Sequence, residues 1–494
     1  MFNAVEATIG GIHAAYQAGT LSARQLVEMY LDRIEKYDRQ GPRINSIITV
    51  NQEALADADR LDSALKASEP GRQLSGPLHG IPVIVKDQID VKGMPTTLGS
   101  VLFKDFHSER DAFVIQKLRK AGAIFIGKAT LGELGAGDTH GSLFGSTRNP
   151  YDPTRTVGGS SGGPAAAIAA NFATVSIGQE GLASIRRPAS WNCLAGMRPT
   201  AGLVSRGGVY SGWPSLQGSL GPMARNVTDM ARLLDVIAGY DPSDPLTAHG
   251  LGHIPDSFAN QLSPAGLKGA RIGILREAIG YQSEPDSDDF AKVDTVFNES
   301  VGELRAAGAV LVDPIVIPDL KPLLALWAGN PLEEESFQRY FGGCANAPFK
   351  TRAEVMASPL FSQTVHGVNT RWGKTTTAEA HYAYLKARDR LMTLVLQVMA
   401  DNRLDAIVHK AVEHQPTLIS DGVNPPWVDQ KGAPFLNTHL VFVPSVVVPA
   451  GFTSDNLPTG ITFQGRPYDD ARMIRYAYAY EQATLHRRPP SATP

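Results

Sequence analysis

Two short serine-containing segments have residue types and spacing that could do chemistry. The first is the glycine-rich run 158–163, Gly-Gly-Ser-Ser-Gly-Gly, and the second starts at Ser184 and reads Ser-Ile-Arg-Arg-Pro-Ala. Consecutive glycines allow tight bends and let backbone N–H groups converge on an anion, although such runs are more often loops or linkers. Turn-forming residues precede this run, and an alanine-rich stretch beginning at Pro164 follows it. The pattern therefore predicts a loop that opens a helix, a shape that holds reactive or charged groups.

A serine hydroxyl becomes a good nucleophile only when a base removes its proton, and Lys86 is a candidate for that base. It lies near the end of the apolar, strand-like run 80–87. Taken alone, such a lysine is more often a surface residue whose charged end reaches solvent. Ser160 follows Lys86 by 74 positions, and Ser184 follows Ser160 by 24. Lysine can act as a base only when it is neutral, so burial or a nearby positive charge must lower its pKa.

Three fragments, 78–87, 149–163 and 184–189, resemble in order and spacing the amidase signature family of Ser-Ser-Lys amide hydrolases. Further matching segments extend the resemblance over essentially the whole chain: 118–128, 221–225, 447–451 and 457–460. The resemblance implies that Ser184 attacks the carbonyl carbon, Ser160 relays the proton, and Lys86 is the base that later returns the proton to the leaving amine. We expect no cofactor and no metal ion, since the 12 histidines show no metal-ligand spacing.

The residues before Ser184 depart from the family pattern. Family members usually carry Gly-Thr-Asp-Thr-Gly-Gly or a close variant there, whereas this chain has Gly-Gln-Glu-Gly-Leu-Ala at 178–183. We expect backbone N–H groups of this segment to hold the oxyanion, and the candidates are Gly181, Leu182, Ala183 and Ser184. A residue with a Cβ resists positive φ by about 1–2 kcal/mol. For the backbone, either the loop uses φ values that tolerate a Cβ, or Gly181 takes the strain one residue earlier. For the reaction, either Leu182 adds an apolar wall beside the acyl group, or the departure from the family pattern has little effect on the kinetics.

Four neighbours of these motifs are assigned supporting roles. Ser161 is expected to be a hydrogen-bonding loop residue, and His79 a structural one. Glu180 stands where the family more often has Asp, and we expect it to order the loop by pairing with a cation such as Arg186. Cys193 lies in an apolar segment, which favours a buried, inert thiol over a reactive one.

Composition narrows the class of protein. With 494 residues, 43% hydrophobic and 19% charged, the chain can bury a sizeable core. A net charge of −3 without a long basic run gives no electrostatic support for nucleic-acid binding, and the apolar run 440–443 is too short to span a membrane. Two cysteines and an N-terminus without a signal-peptide pattern favour a cytoplasmic protein. We expect a small-molecule amide as the partner and leave a homodimer open.

Helix and strand patterns alternate along the chain. Ser22 and Gln25 form a capping-box pattern, and helices predicted over about 111–121 and 293–304 each lead through a glycine into a short apolar strand. This alternation indicates an α/β fold with a mixed sheet, and the resemblance implies about eleven strands flanked by many helices. The predicted organisation is a single large domain, 1–494, with an N-terminal helical part at about 1–70, a catalytic core at about 71–240 and 437–485, and a variable, substrate-facing region at about 241–436.

The leading hypothesis for function is an amide hydrolase. The same machinery could cleave esters, anilides or carbamates, because only the leaving group changes. One alternative is the ammonia-releasing subunit of a tRNA-dependent amidotransferase, and another is a family-derived protein without turnover. Segments rich in aromatic residues favour a small apolar or aromatic acyl group. The candidate substrate-binding residues are Gly135, His140, Trp213, Trp327 and Trp427.

Overall fold

A computed structural model describes residues 2–68, 71–210, 218–328 and 333–494 of the chain. Fifteen strands form within these ranges: β1 (Ile47–Val50), β2 (Pro82–Lys86), β3 (Ile124–Ala129), β4 (His140–Gly141), β5 (Gly145–Ser146), β6 (Arg148–Asn149), β7 (Asp152–Thr156), β8 (Val175–Glu180), β9 (Ala195–Arg198), β10 (Ser219–Ala224), β11 (Arg271–Leu275), β12 (Val310–Ile315), β13 (Ala406–Lys410), β14 (Ser445–Phe452) and β15 (Pro458–Gln464).

Sixteen α-helices accompany them in the described ranges: α1 (Ile9–Gln17), α2 (Ala23–Arg33), α3 (Ala54–Ala67), α4 (Phe113–Lys120), α5 (Gly162–Ala169), α6 (Arg186–Trp191), α7 (Val227–Ile237), α8 (Asp288–Ala306), α9 (Leu320–Leu324), α10 (Glu333–Phe341), α11 (Arg352–Ala357), α12 (His366–Trp372), α13 (Ala378–Asp401), α14 (Ile419–Val423), α15 (Leu436–His439) and α16 (Asp470–Thr484). The predicted capping box is present at α2, where the Ser22 hydroxyl accepts from Gln25 N and the Gln25 side chain accepts from Ser22 N. The helices predicted from the two glycine-terminated patterns are α4 and α8, followed by β3 and β12. Residues 412–436 are rich in Pro, Gly and Asp, a composition that predicts a long loop, but they contain the short helix α14.

Eleven of these strands form one mixed sheet in the order β1-β3-β2-β8-β10-β9-β14-β15-β13-β11-β12. Pairs β2/β3, β2/β8, β11/β12 and β11/β13 are parallel, and the other neighbours are antiparallel. The predicted α/β fold with a mixed sheet of about eleven strands is therefore confirmed.

Strands β2 and β8 position the site. Every residue of both strands is buried, as expected for parallel strands covered on both faces. Because the two strands are parallel neighbours, their carboxyl ends meet at one edge of the sheet. Lys86 ends β2, and Glu180 ends β8. Helix α5 packs on both strands and on α6, so the two serine segments also lie at this edge.

Aromatic residues form a second cluster outside the main core. Its members come from the segments that follow β2, β3 and β9 and from the helices α10 to α12: Leu98, Leu102, Phe103, Phe106, Leu134, Tyr210, Phe337, Tyr340, Phe341, Val355, Val368 and Trp372. Gln88 Nε2 donates to Tyr210 O at 2.8 Å, and Tyr210 N donates to Gln88 O at 3.2 Å. The cluster is thereby attached two residues beyond Lys86.

Candidate active site

Lys86 is a buried lysine that contacts no carboxylate among the residues the structure describes. Its side chain is fully buried at the end of β2, and its Nζ donates to Ser160 Oγ at 2.7 Å and, at 3.5 Å, to Gln179 O. Burial holds the pKa of Lys86 well below its usual range, and the negative charge of Glu180 opposes this shift without reversing it. The lowered pKa makes the neutral amine, the form that can accept a proton, easier to reach than in an exposed lysine.

The glycine-rich run places Ser160 against that amine. Ser160 Oγ also donates to Gly135 O at 2.8 Å, and the bond between Gly159 and Ser160 is a cis peptide. The next two glycines, Gly162 and Gly163, start α5 where a Cβ would collide with Thr139 and Thr130. The glycines therefore allow close backbone packing that fixes the serine.

Ser161 has the supporting role predicted for it. Its hydroxyl donates to Gln179 O at 3.1 Å and accepts from Gln179 N at the same distance. Its backbone N–H donates to Ser184 O at 3.1 Å. Ser161 therefore ties the start of α5 to the end of β8 and to the second serine segment.

The loop before Ser184 offers free backbone donors. Within the described ranges, the N–H groups of residues 181–184 donate no hydrogen bond to another residue, and neither does the Ser184 hydroxyl. None of these residues has a positive φ, so the loop uses φ values that tolerate a Cβ and Gly181 takes no strain. Leu182 and Ser184 are half-buried, whereas Ala183 is buried. Unpaired backbone donors are one requirement of a site that holds an oxyanion.

Glu180 fastens this loop on both sides of Ser184. Its Oε2 accepts from Ile185 N at 2.8 Å and from Arg186 N at 2.9 Å, and its Oε1 accepts from Arg186 Nε at 2.7 Å. Arg186 Nη2 in turn donates to Leu182 O at 2.9 Å. The side chains of Glu180 and Arg186 are fully buried, so the predicted pairing of Glu180 with Arg186 is confirmed.

A second buried ion pair connects the serine loops to a distant segment. Arg187 Nη1 lies 2.6 Å from Asp138 Oδ1, and its Nη2 donates to Gly159 O at 2.9 Å. Asp138 N donates to Asp429 Oδ1 at 2.7 Å. Burial raises the pKa of Asp138 to about 6, although the charge of Arg187 opposes the shift. Neither Asp138 nor Arg187 was predicted to act in the site. Arg187 could have been noticed as a second arginine just after Ser184 in an otherwise apolar segment.

The five predicted substrate-binding residues have different placements. Gly135 contacts Ser160 through its carbonyl. His140 is buried, with Nδ1 bonded to Ser146 Oγ at 2.8 Å, and burial lowers its pKa to about 4, so its ring is neutral. Trp427 stacks on His366 at 4.3 Å between ring centroids, two residues from Asp429.

Trp327 is not brought to the serines. Trp327 lines a cavity of about 460 Å³ whose lining includes Phe435 but neither Ser160 nor Ser184. Trp213 lies outside the described residues. Cys193 is fully buried, as predicted, and burial raises the pKa of its thiol.

The described ranges contain no group of three or more His, Cys, Asp or Glu side chains arranged to hold a metal ion. No helix among them is both long and apolar enough to cross a membrane.

The chain belongs to the amidase signature family, since the sequence profile named Amidase matches residues 25–474. It is 34% identical to a glutamyl-tRNA(Gln) amidotransferase subunit of Symbiobacterium thermophilum, over 96% of each chain. It is 32% identical to a probable amidase of Arabidopsis thaliana, over 99% of this chain and 92% of the relative. The peptide amidase of Stenotrophomonas maltophilia has a similar structure, with a TM-score of 0.87 and 33% identity over both full chains. Enzymes of this family are hydrolases that act on carbon–nitrogen bonds.

Proposed function

We propose that the protein is an amidase that hydrolyses a small carboxamide with an apolar or aromatic acyl group. One observation carries the proposal: a buried lysine with a lowered pKa donates to Ser160, while the loop before Ser184 keeps its N–H groups unpaired.

The proposed reaction starts when Ser184 Oγ attacks the amide carbon. The hydroxyl proton passes to Ser160, and the Ser160 hydroxyl turns from Gly135 O and gives its own proton to the lone pair of neutral Lys86. The N–H groups of residues 181–184 stabilise the oxyanion. The C–N bond then breaks as Lys86 returns the proton through Ser160 to the leaving nitrogen. Water repeats the sequence on the Ser184 ester, which releases the carboxylic acid and restores the hydroxyl.

Two observations support the substrate class. The aromatic cluster defined above is attached to the segment that follows Lys86, and Tyr210 in it contacts Phe337, Tyr340 and Phe341 with ring centroids 5.6–6.3 Å apart. Leu182 and Ala183 give the oxyanion loop apolar side chains. The similarity to a peptide amidase makes C-terminal peptide amides part of the class to be tested.

The test is hydrolysis of a panel of benzamide, hexanamide, phenylalaninamide, a dipeptide amide and glutamine, measured as released ammonia, and of the matching methyl esters, measured as released methanol, with Ser184→Ala as control. We expect the aryl, aliphatic or peptide amides to exceed glutamine and Ser184→Ala to be inactive. A preference for glutamine, together with co-purifying partner chains, would favour the amidotransferase function for which the Symbiobacterium relative is named. Turnover of the esters alone would replace the amidase by an esterase.

A further inference from the structure

Helices α5 and α6 begin beside the two serines and end at one guanidinium. At their starts the helices are joined by the hydrogen bond from Ser161 N to Ser184 O. At their ends, Arg487 Nη2 donates to Ala169 O, the last residue of α5, at 3.1 Å. Arg487 Nη1 donates to Cys193 O, two residues after α6, also at 3.1 Å. The same side chain therefore bridges both helix ends, which lie 318 and 294 positions before it in the sequence.

The guanidinium of Arg487 is itself held in place. Its Nε and Nη2 donate to the Glu6 carboxylate at 3.2 and 2.9 Å, and its Nη1 donates to Tyr151 Oη at 2.7 Å. Only 12% of the side chain is exposed. A cation at helix C-termini also interacts favourably with the helix dipoles, and it donates hydrogen bonds to the carbonyl groups that have no partner within the helix. The contact is thus both rigid and specific for the two helix ends.

We infer that Arg487 is a positioning residue for the reaction proposed above, on which this inference rests. By joining the ends of α5 and α6, it fixes how the two helices lie against each other and therefore how far Ser160 Oγ is from Ser184 Oγ. Without it, the bonds from Ser161 N to Ser184 O and from Arg187 Nη2 to Gly159 O still join the two starts, but the far ends of the helices lose the side chain that bridges them. Displacing a reacting group by 1 Å through a remote change can cost about 10²-fold in rate.

The chain offers two matched controls. Arg33 donates to Ala170 O at 2.9 Å and to Asn171 O at 3.0 Å, so it contacts the end of α5 in the same way but does not bridge to α6. Arg488 is the exposed neighbour of Arg487, with its guanidinium 4.8 Å from the centre of the Phe452 ring. Arg33→Ala separates loss of helix capping from loss of the bridge, and Arg488→Ala controls for loss of a positive charge in the same segment.

The experiment measures the rate constant for fluorophosphonate labelling of Ser184, together with kcat, KM and thermal unfolding, in wild type, Arg487→Ala, Arg487→Lys and the two controls. For Arg487→Ala we expect labelling and kcat to fall about 10- to 100-fold while KM changes less than about threefold. Millimolar guanidinium should restore part of the labelling rate. Arg487→Lys keeps the charge beside Glu6 but cannot span both carbonyls. Its labelling rate and kcat should therefore fall at least about tenfold, and added guanidinium should not raise them. In both controls the labelling rate and kcat should stay within about threefold of wild type, even if Arg33→Ala unfolds at a lower temperature.

If Arg487→Ala is labelled and turns over amides as fast as an active wild type, the inference is overturned and the proposed function stays intact. An equal loss in Arg33→Ala overturns it as well, because capping alone would then explain the effect. If Arg487→Ala does not fold, Arg487→Lys is judged by the same limits. A wild type that turns over amides without labelling at Ser184 overturns the assignment of the nucleophile, and the inference with it.

Discussion

Replacing Glu180 by Gln removes the buried charge that holds the loop on both sides of Ser184. The Gln oxygen can still accept from Ile185 N and Arg186 N, in place of Oε2. Its amide nitrogen then faces Arg186 Nε, which is also a donor, at the position where Oε1 now accepts at 2.7 Å. Arg198 Nε, 4.0 Å from the same oxygen, loses the negative charge beside it.

The expected cost follows from burial. Glu180 and Arg186 have fully buried side chains, and leaving one member of a buried ion pair without its partner costs about 3–5 kcal/mol. The loop that carries the free N–H groups also loses its anchor, so kcat should fall by up to about 10²–10³-fold, the effect of losing one oxyanion donor.

Urea unfolding and amide turnover of Glu180→Gln measure these two effects. Glu28→Gln is the control, because it breaks an exposed pair with Arg24, which should change stability by less than about 0.5 kcal/mol. Glu180→Asp keeps the charge on a side chain that is one methylene shorter and should fall between wild type and Glu180→Gln in both measurements. A Glu180→Gln protein as stable as the Glu28→Gln control would refute the anchoring argument.

Three further predictions concern the base, the oxyanion loop and a buried carboxyl. Activity should rise with pH, because Lys86 must be neutral, and the apparent pKa of this rise should lie below that of an ordinary lysine. Lys86→Ala should lower kcat by about 10²–10⁴-fold. A Lys86→Ala rate within about tenfold of wild type at neutral pH would indicate another base. Changing Leu182 and Ala183 together to Gly should relax discrimination between a small and a bulky amide by about 1–3 kcal/mol in kcat/KM, whereas a uniform gain for every amide would show that the side chains slow the reaction. Burial raises the pKa of Asp470 to about 6, so its stabilising effect is complete below about pH 4 and is lost as pH rises through 6. The unfolding free energy of wild type relative to Asp470→Asn should therefore drop by about 3 kcal/mol between about pH 3 and 8, and a constant difference would contradict the raised pKa.

Local sequence patterns predicted the elements that local physics determines. The capping box at Ser22 and Gln25 specified the start of α2, because its two hydrogen bonds join residues three apart. The apolar run before Lys86 became a strand buried on both faces. The order and spacing of the motifs then identified the fold, since they match a known family.

Contacts between distant segments could not be predicted in this way. Arg487 reaches Ala169 across 318 positions, and Asp138 reaches Asp429 across 291; neither contact leaves a periodic pattern in the sequence. The φ angles of Leu182 and Ala183 also depend on tertiary packing, so the sequence left two conformations open there. Trp327 was selected by residue type alone, and its place in a separate cavity follows from the packing of Phe435 beside it.

The identity of the nucleophile is the central claim, and covalent labelling tests it most directly. Wild-type protein is treated with a fluorophosphonate, and the labelled peptide is identified by mass spectrometry, with Ser184→Ala and Ser161→Ala treated in parallel. We expect one added label per chain, on Ser184, no label and no turnover in Ser184→Ala, and a label on Ser184 in Ser161→Ala. A label on another residue, or undiminished turnover by Ser184→Ala, would contradict this claim.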